Sequence, residues 1–353
     1  MACYIYNMAI ISKKKNIYKI SKSLRAYLKK YDREIILPIN YKDLLRYNNS
    51  IALIDQRAKD TYWETVFYSQ DEMKDIHHSV KTIYAILKAN GDLSVMEHLF
   101  VDRIDLCVYG NTQPFRVRIV NRINDNFDYF YIKNADASRV YGLELEHLLS
   151  PNRISYVVNA ETLIEEHIVG IPGDQFIKYH LNDKNLNKIR LAKEFVKFNE
   201  RCFIRLLGDM HSSNFVIDIT PDFEEIDYRL RAIDFDQQSY EGRKAIYLPQ
   251  YFKQNNPLIE IGLNCMTPET VKQYQKEERA LIAHRYKASK EKVNELLIAM
   301  SSDEISTQKN VKSLAKDLAA HYKNDRFLTC ATMGELVRTS LETVLEKPNY
   351  QFP

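Results

Sequence analysis

The chain has 353 residues, 45% of them hydrophobic and 27% charged, with only 9 glycines and 10 prolines. That length predicts two or three domains, and that composition excludes a largely disordered, collagenous or low-complexity chain. Lys and Arg number 50 against 47 Asp and Glu, a net charge of +3 that speaks against a dedicated nucleic-acid binder, which carries a concentrated basic face. The five cysteines (Cys3, Cys107, Cys202, Cys265 and Cys330) are odd in number and far apart, which excludes a disulfide scaffold or a zinc knuckle and fits a reducing compartment. The start "MACYIYNMAIISKKK" has its basic residues after the apolar run, the reverse of a secretory signal. No run reaches the roughly 18 apolar residues of a membrane span. The expectation is a cytoplasmic protein.

Residues 1–95 read as a mainly helical extension. In "NIYKISKSLRAYLKKY", Ile17, Ile20, Leu24 and Leu28 recur at near-helical spacing, and the basic residues from Lys13 to Lys30 suit a solvated face. "SQDEMKDIHHSVKTIYAILKANGD" opens on Ser69 with acidic residues behind it and closes on Asn90-Gly91, a helix start and a helix stop. His77 and His78 are adjacent and point to different faces, whereas a helical metal site needs i, i+4 spacing.

Over 96–170 the pattern turns to strand-like alternation, with turn signals at Gly110-Asn111 and Asn124–Asn126. It predicts strands near 99–109, 114–123 and 127–133, a helix in "DASRVYGLELEHLL", and two more strands in "RISYVVNAE" and "TLIEEHIVG". From 171 to 353 helical patterns dominate. "NLNKIRLAKEFVKFNE" is a helix, "RCFIRLL", "FVIDI" and "RLRAIDF" look like short strands, and Thr267-Pro268 opens a later helix as N-cap and N1.

Chemistry concentrates in "GDMHSSN" (208–214) and "RAIDFDQQ" (231–238). Asp209, Asn214 and Asp234 all fall at strand-end or loop positions. Phosphoryl transfer needs one carboxylate to orient the attacking hydroxyl, and an amide oxygen with a second carboxylate to hold Mg²⁺ against nucleotide phosphates. Singly, each residue has a plain structural explanation as a turn or strand-end group. The acidic run Asp222, Glu224, Glu225 and Asp227 between the two motifs reads as a solvated hairpin tip.

G-D-x-H-x-x-N followed by I-D-F-D resembles the catalytic and metal-binding loops of the protein-kinase-like superfamily, nearest to its aminoglycoside phosphotransferase and choline kinase group. The resemblance covers about 30 residues strongly. It implies an α+β, bilobal protein-kinase-like fold: a five-stranded antiparallel N-lobe with one helix (96–170), a mostly helical C-lobe (171–353) and the N-terminal helical extension before them. It implies Asp209 as catalytic base, Asn214 and Asp234 as Mg²⁺ ligands, and His211 as a brace for the loop. Asp236 stands where protein kinases have Gly, which points toward a small-molecule acceptor.

By the same resemblance Lys133, at the end of the third strand, would hold the ATP phosphates, with Glu144 (Glu146 as the other choice) behind it on the helix. Gly110 in "YGNTQPF" would lie in the phosphate-covering loop, although that loop has one glycine where protein kinases have three. Backbone groups of Glu166, His167 and Ile168 would form the adenine hinge. A D-L-A-type segment after the metal loop is absent; "YEGRKAIYLPQYF" stands there.

The expected function is therefore an ATP- and Mg²⁺-dependent phosphotransferase acting on a hydroxyl of a small molecule, with residues 1–95 open to a protein partner or to self-association. The rival is a kinase-like protein that binds nucleotide or a partner without turnover. A two-metal phosphoesterase, which also uses Asp-x-His, needs an Asn-His pair and a His-x-His that this chain lacks.

Overall fold

The computed structural model describes residues 15–55, 58–89, 91–110, 112–222 and 225–345. Expectations that touch Cys3, Lys13, Lys14, Asn90, Asn111 and Glu224 lie outside them. The protein is α+β, with a seven-stranded sheet, a three-stranded sheet and many helices. It clusters into two units. The first takes the described residues up to Ile20, Leu28–Asp136 and Ser155–His167; the second takes Ser21–Tyr27, Ala137–Ile154 and the described residues from Ile168 on. The first helix, α1 (Lys22–Lys30), begins only after Ile17 and Ile20, so the periodicity overstates its length.

The first unit is built on β1 (Asn49–Ile54), β2 (Asp60–Phe67), β3 (Leu99–Cys107), β4 (Phe115–Asn121), β5 (Phe127–Asn134), β6 (Tyr156–Asn159) and β7 (Thr162–Glu166). Their order in the sheet is β1-β2-β3-β4-β5-β7-β6, and every neighbouring pair is antiparallel. Alternation sets the faces. Phe115, Val117 and Ile119 of β4 and Phe130 and Ile132 of β5 all point into one core. A register shift between Val101 and Arg103 changes the phase of β3, so Val101, Ile104 and Leu106 all reach that core. Over it lie α2 (Tyr41–Leu44) and α3 (Gln70–Lys88), the latter through Ile76, Val80 and Ile83 at i, i+4, i+7.

Two expectations need correction here. The sheet has seven strands, not five, because residues before 95 supply β1 and β2 as well as α1–α3. β1 is the edge strand of the sheet, and β2 beside it is largely part-exposed. β1 exposes Ile51 and Ile54, so it lacks the buried alternation that marks a strand, although "DTYWETVF" is rich in β-favouring residues.

The other face of the sheet is polar and aromatic. Asp105, fully buried, accepts from Arg116 Nη2 at 2.8 Å, Thr65 Oγ1 at 2.8 Å and Arg103 Nε at 3.1 Å. The Arg116 guanidinium lies 4.3 Å from the Trp63 ring centroid. Lys133, Tyr131 and Tyr129 share this face by the two-residue strand period.

The second unit carries α4 (Ala137–Leu149), β8 (Ile171–Pro172), α5 (Gly173–Tyr179), α6 (Lys188–Arg205), β9 (Phe215–Asp222), β10 (Glu225–Ala232) and α7 (Asn256–Cys265). Helices α8 (Pro268–Ala288), α9 (Lys290–Ser302), α10 (Gln308–Tyr322) and α11 (Met333–Leu345) complete it. β9 and β10 form the expected hairpin, with Phe215 opposite Ala232, and β8 pairs with β9. Thr267 caps α8, accepting from the Thr270 amide. "RCFIR" is not a strand but the last turns of α6, which ends at Leu206 in the left-handed region (φ 54°). A segment buried on all sides has no helical stripe, so its apolar run could not be told from a strand. Its charges are buried as pairs: Arg201 Nη1 with Glu278 Oε1 at 3.0 Å, and Arg205 with Glu146. No helix among the described residues is long and apolar enough to cross a membrane.

Candidate active site

The left-handed residue that ends α6 turns the chain into the 207–214 loop. Leu207 forms an antiparallel bridge with Gln238, and the Gly208 amide donates to Gln237 O at 3.2 Å. A Cβ at 208 would lie 3.0 Å from that same carbonyl oxygen and from Ile246 Cγ2, a tight contact that glycine avoids where the two loops meet. Asp209 sits at φ 62°, a strained position for a residue with a side chain, and is pinned by its amide to Ile246 O at 2.9 Å. Its carbonyl accepts twice, from the His211 amide at 2.9 Å and from Asn214 Nδ2 at 2.8 Å.

Asn214 is the hinge of the cluster. With its amide nitrogen committed to Asp209 O, its Oδ1 is the atom left to accept or to ligate. Its backbone oxygen accepts from the Ile233 amide at 3.0 Å, which brings the residue before Asp234 against the loop. Asp234 Oδ1 accepts from Arg139 Nη1 at 2.8 Å and from the Asp236 amide at 3.0 Å. Asp209 and Asn214, from one loop, and Asp234, from the segment after the β9–β10 hairpin, thus belong to one loop cluster of the second unit.

The electrostatics agree with that proximity. Asp209 is pushed up to about 7, first by burial and then by the negative charges of Asp234 and Glu241; no hydrogen bond offsets them. His211 is held below the ordinary histidine value by burial, although Asp234 and Asp174 pull the other way. The Ser213 amide donates to its Nδ1 at 3.3 Å and its ring meets Phe252 edge-on, as a bracing role requires.

Segment 235–238 is clamped onto α4. Ser138 Oγ donates to Gln238 O at 2.5 Å, and Gln238 Nε2 donates to Arg205 O at 2.6 Å. Gly142 faces Phe235 and Gln238, where a Cβ would meet both at 3.1 Å. Arg139, on the first turn of α4, reaches both Asp234 and Asp236. No motif marks Arg139 in the sequence; its only signal is a charged residue inside the otherwise uncharged "ASRVYGL".

The remaining expected residues are placed as follows. Lys133, buried at the end of β5, donates to Glu165 Oε2 of β7 at 2.9 Å in the first unit. Glu144, on α4 in the second, accepts from the Tyr27 hydroxyl at 2.9 Å. Gly110 lies between β3 and β4 as expected, but in a packed turn: its carbonyl accepts from the Gln113 amide at 3.1 Å, and a Cβ would meet Pro114 Cδ at 3.0 Å. The Glu166 amide is used by Ser155 O and the His167 amide by Tyr129 O. His167 Nδ1 bonds the Tyr131 hydroxyl at 3.1 Å, and burial lowers its pKa. Ile168 is buried where the second unit resumes.

No cluster of three His, Cys, Asp or Glu side chains suited to a metal ion occurs among the described residues. A magnesium site of the expected kind does not need one. The Asn214 amide oxygen and the Asp234 carboxylate are hard oxygen donors of the type Mg²⁺ takes while keeping its other positions for water and phosphate.

No protein-family model matches the chain, and no curated protein matches it. Among the solved structures with a likeness to it are two kinase structures, both weakly similar. One is titin kinase with its flanking domains, at TM-score 0.27 and 14% identity over 69% of this chain and 54% of that one. The other is the autoinhibited serine kinase domain of the giant muscle protein titin, at TM-score 0.27 and 13% identity over 71% of this chain and 89% of that one. The chain spans about half the length of the first of these structures. Superpositions this loose support no residue assignment, and the functional reading rests on the chain's own residues.

Proposed function

We propose that the protein is a magnesium-dependent phosphotransferase of the kinase-like kind, nearest in type to the aminoglycoside and choline kinases, that moves the γ-phosphoryl group of ATP to a hydroxyl of a small-molecule acceptor. The observation that carries the reading is the joining of Asp209 to Asn214 and of Asn214 to the backbone beside Asp234. These contacts bring the loop that carries Asp209 and Asn214 against the segment that carries Asp234.

In this reading the Asp209 carboxylate orients the acceptor hydroxyl and takes its proton. Its raised pKa suits that task, because a base poised near neutral pH can both accept and release a proton. Asn214 Oδ1 and the Asp234 carboxylate hold Mg²⁺, which when bound neutralises charge on the transferring phosphate. Lys133 of the first unit stands beside Glu165, a carboxylate partner of the kind a phosphate-binding lysine keeps. Most of the rate comes from placement and charge neutralisation.

Binding without turnover is the second reading, favoured by the packed turn at Gly110. Label transfer from γ-labelled ATP to a metabolite extract separates the two. The wild type should give a Mg²⁺-dependent labelled product, and Asp209→Asn should lower the rate by about 10³-fold with nucleotide binding kept. Nucleotide binding with no labelled product from the wild type would select the second reading.

A further inference from the structure

The stretch "YEGRKAIYLPQYF" has no part in the phosphotransferase scheme. From Lys244 it runs on to Asn255 as three short 3₁₀ turns, Lys244–Tyr247, Pro249–Tyr251 and Lys253–Asn255. Asn255, at its end, is fully buried. Its Nδ2 donates to Met210 O of the 207–214 loop at 3.0 Å and to Pro249 O at 2.7 Å. Both partners are carbonyl oxygens, which only accept, so the end of the amide that faces them is its NH₂ group. An aspartate of the same shape would set a carboxylate against two carbonyls.

The contact falls where the loop needs support. Asp209 holds φ 62°, and a conformation of that kind persists only where its surroundings over-determine it. Three successive peptide groups are held. Ile246 O takes the Asp209 amide, Asn214 Nδ2 donates to the Asp209 carbonyl, and Asn255 Nδ2 donates to the Met210 carbonyl. Ile246 and Asn255 both come from the 244–255 segment. That segment is tied in turn to α6: the Gln250 amide donates to Asn199 Oδ1 at 2.8 Å, and Asn199 Nδ2 donates to Phe195 O at 2.6 Å.

Resting on the phosphotransferase reading, we propose that Asn255 is a positioning residue: through the Met210 carbonyl it fixes the backbone that aims the Asp209 carboxylate at the acceptor hydroxyl. The 244–255 segment is then a strap that holds the loop on both sides of Asp209. A small misplacement of a reacting group is enough to slow a positioned reaction, so loss of the strap's last contact falls on the transfer step. Nucleotide binding is spared, because Asp234 is held by contacts of its own, from Arg139 and from the Asp236 amide.

The test is label transfer by the full chain from γ-labelled ATP with Mg²⁺ to a metabolite extract, expressed per nucleotide-binding site, with ATP affinity measured on the same samples. Asn255→Leu and Asn255→Asp are close in shape to asparagine and lack both donors. Each should transfer about 10²-fold more slowly per site, with ATP affinity kept within about twofold. Added to Asp209→Asn, either change should slow transfer no further, because it acts through Asp209. A residue that only supports the fold would lower the number of binding sites and leave the rate per site unchanged, or would slow the Asp209→Asn protein as well. Either result overturns the inference and leaves the phosphotransferase reading standing. One folded variant decides; loss of nucleotide binding in both makes Asn255 a folding residue and overturns the inference too. No labelled product from the wild type overturns that reading and the inference with it.

Discussion

The two units bury charge in different ways. The first keeps one face of its sheet wholly apolar, from Leu99 to Ile164, and confines Asp105, Lys133 and Glu165 to the opposite face. The second carries charge in the last turns of α6, where the Arg201 and Arg205 side chains are each 2% exposed and answered by Glu278 and Glu146. The first unit buries matched pairs as well, Lys15 with Asp136 and Lys133 with Glu165, but beside its apolar core; in the second the pairs join helix to helix. The proposed catalytic acids belong to the second, where an unmatched charge is most costly and a shifted pKa easiest to maintain.

Breaking a pair should show this most strongly. Glu278→Ala leaves the Arg201 guanidinium buried without its main partner, and denaturant unfolding should report a loss of about 3–5 kcal/mol. The double change Arg201→Met with Glu278→Leu should recover most of it, since an apolar pair of similar volume removes the stranded charge. If the double variant is no better than the single, pairing is not what the second unit relies on. In the first unit the matching change is Phe115→Ala, fully buried in the sheet core, with an expected loss of about 3–4 kcal/mol from transfer and cavity terms together. No charge change elsewhere should rescue it.

A smaller effect sharpens the contrast. Asp209 has its folded-state pKa raised from 3.8 to about 7, so the folded state binds a proton more tightly than the unfolded one. Stability from this group is fully present below pH about 4 and is lost as pH rises toward 7. Without Mg²⁺, Asp209→Asn should therefore leave stability unchanged at pH 4 and raise it at pH 8 by about 2 kcal/mol, allowing for the partial exposure of the group. The same substitution should abolish phosphoryl transfer. A gain in stability with a loss of activity is what a functional, destabilised acid predicts. A pH-independent effect would place Asp209 in an ordinary turn role.

What the sequence made legible follows the same division. β3, β4, β5 and α4 could be read within a residue or two, because one buried face imposes a plain alternation or stripe. β1 gives no clean signal because an edge strand exposes both faces, β2 because it buries little of either, and the end of α6 because it exposes none. Asp209, Asn214 and Asp234 stood out by residue type and spacing. Arg139 did not, since its role exists only through the fold that brings "ASRVYG" onto "IDFD". The pairing of Lys133 with Glu165 was equally hidden, being a cross-strand register and not a motif.

The central claim, that Asn214 and Asp234 hold a nucleotide-dependent magnesium ion beside the base Asp209, is tested most directly by thermal shift with ATP. The wild type should be stabilised by ATP with Mg²⁺, by several degrees at saturation, and far less by ATP with a chelator. Asn214→Ala and Asp234→Asn should each lose the magnesium-dependent share of the shift. The opposite result, a wild-type response that is absent or that survives in both variants, would contradict the site.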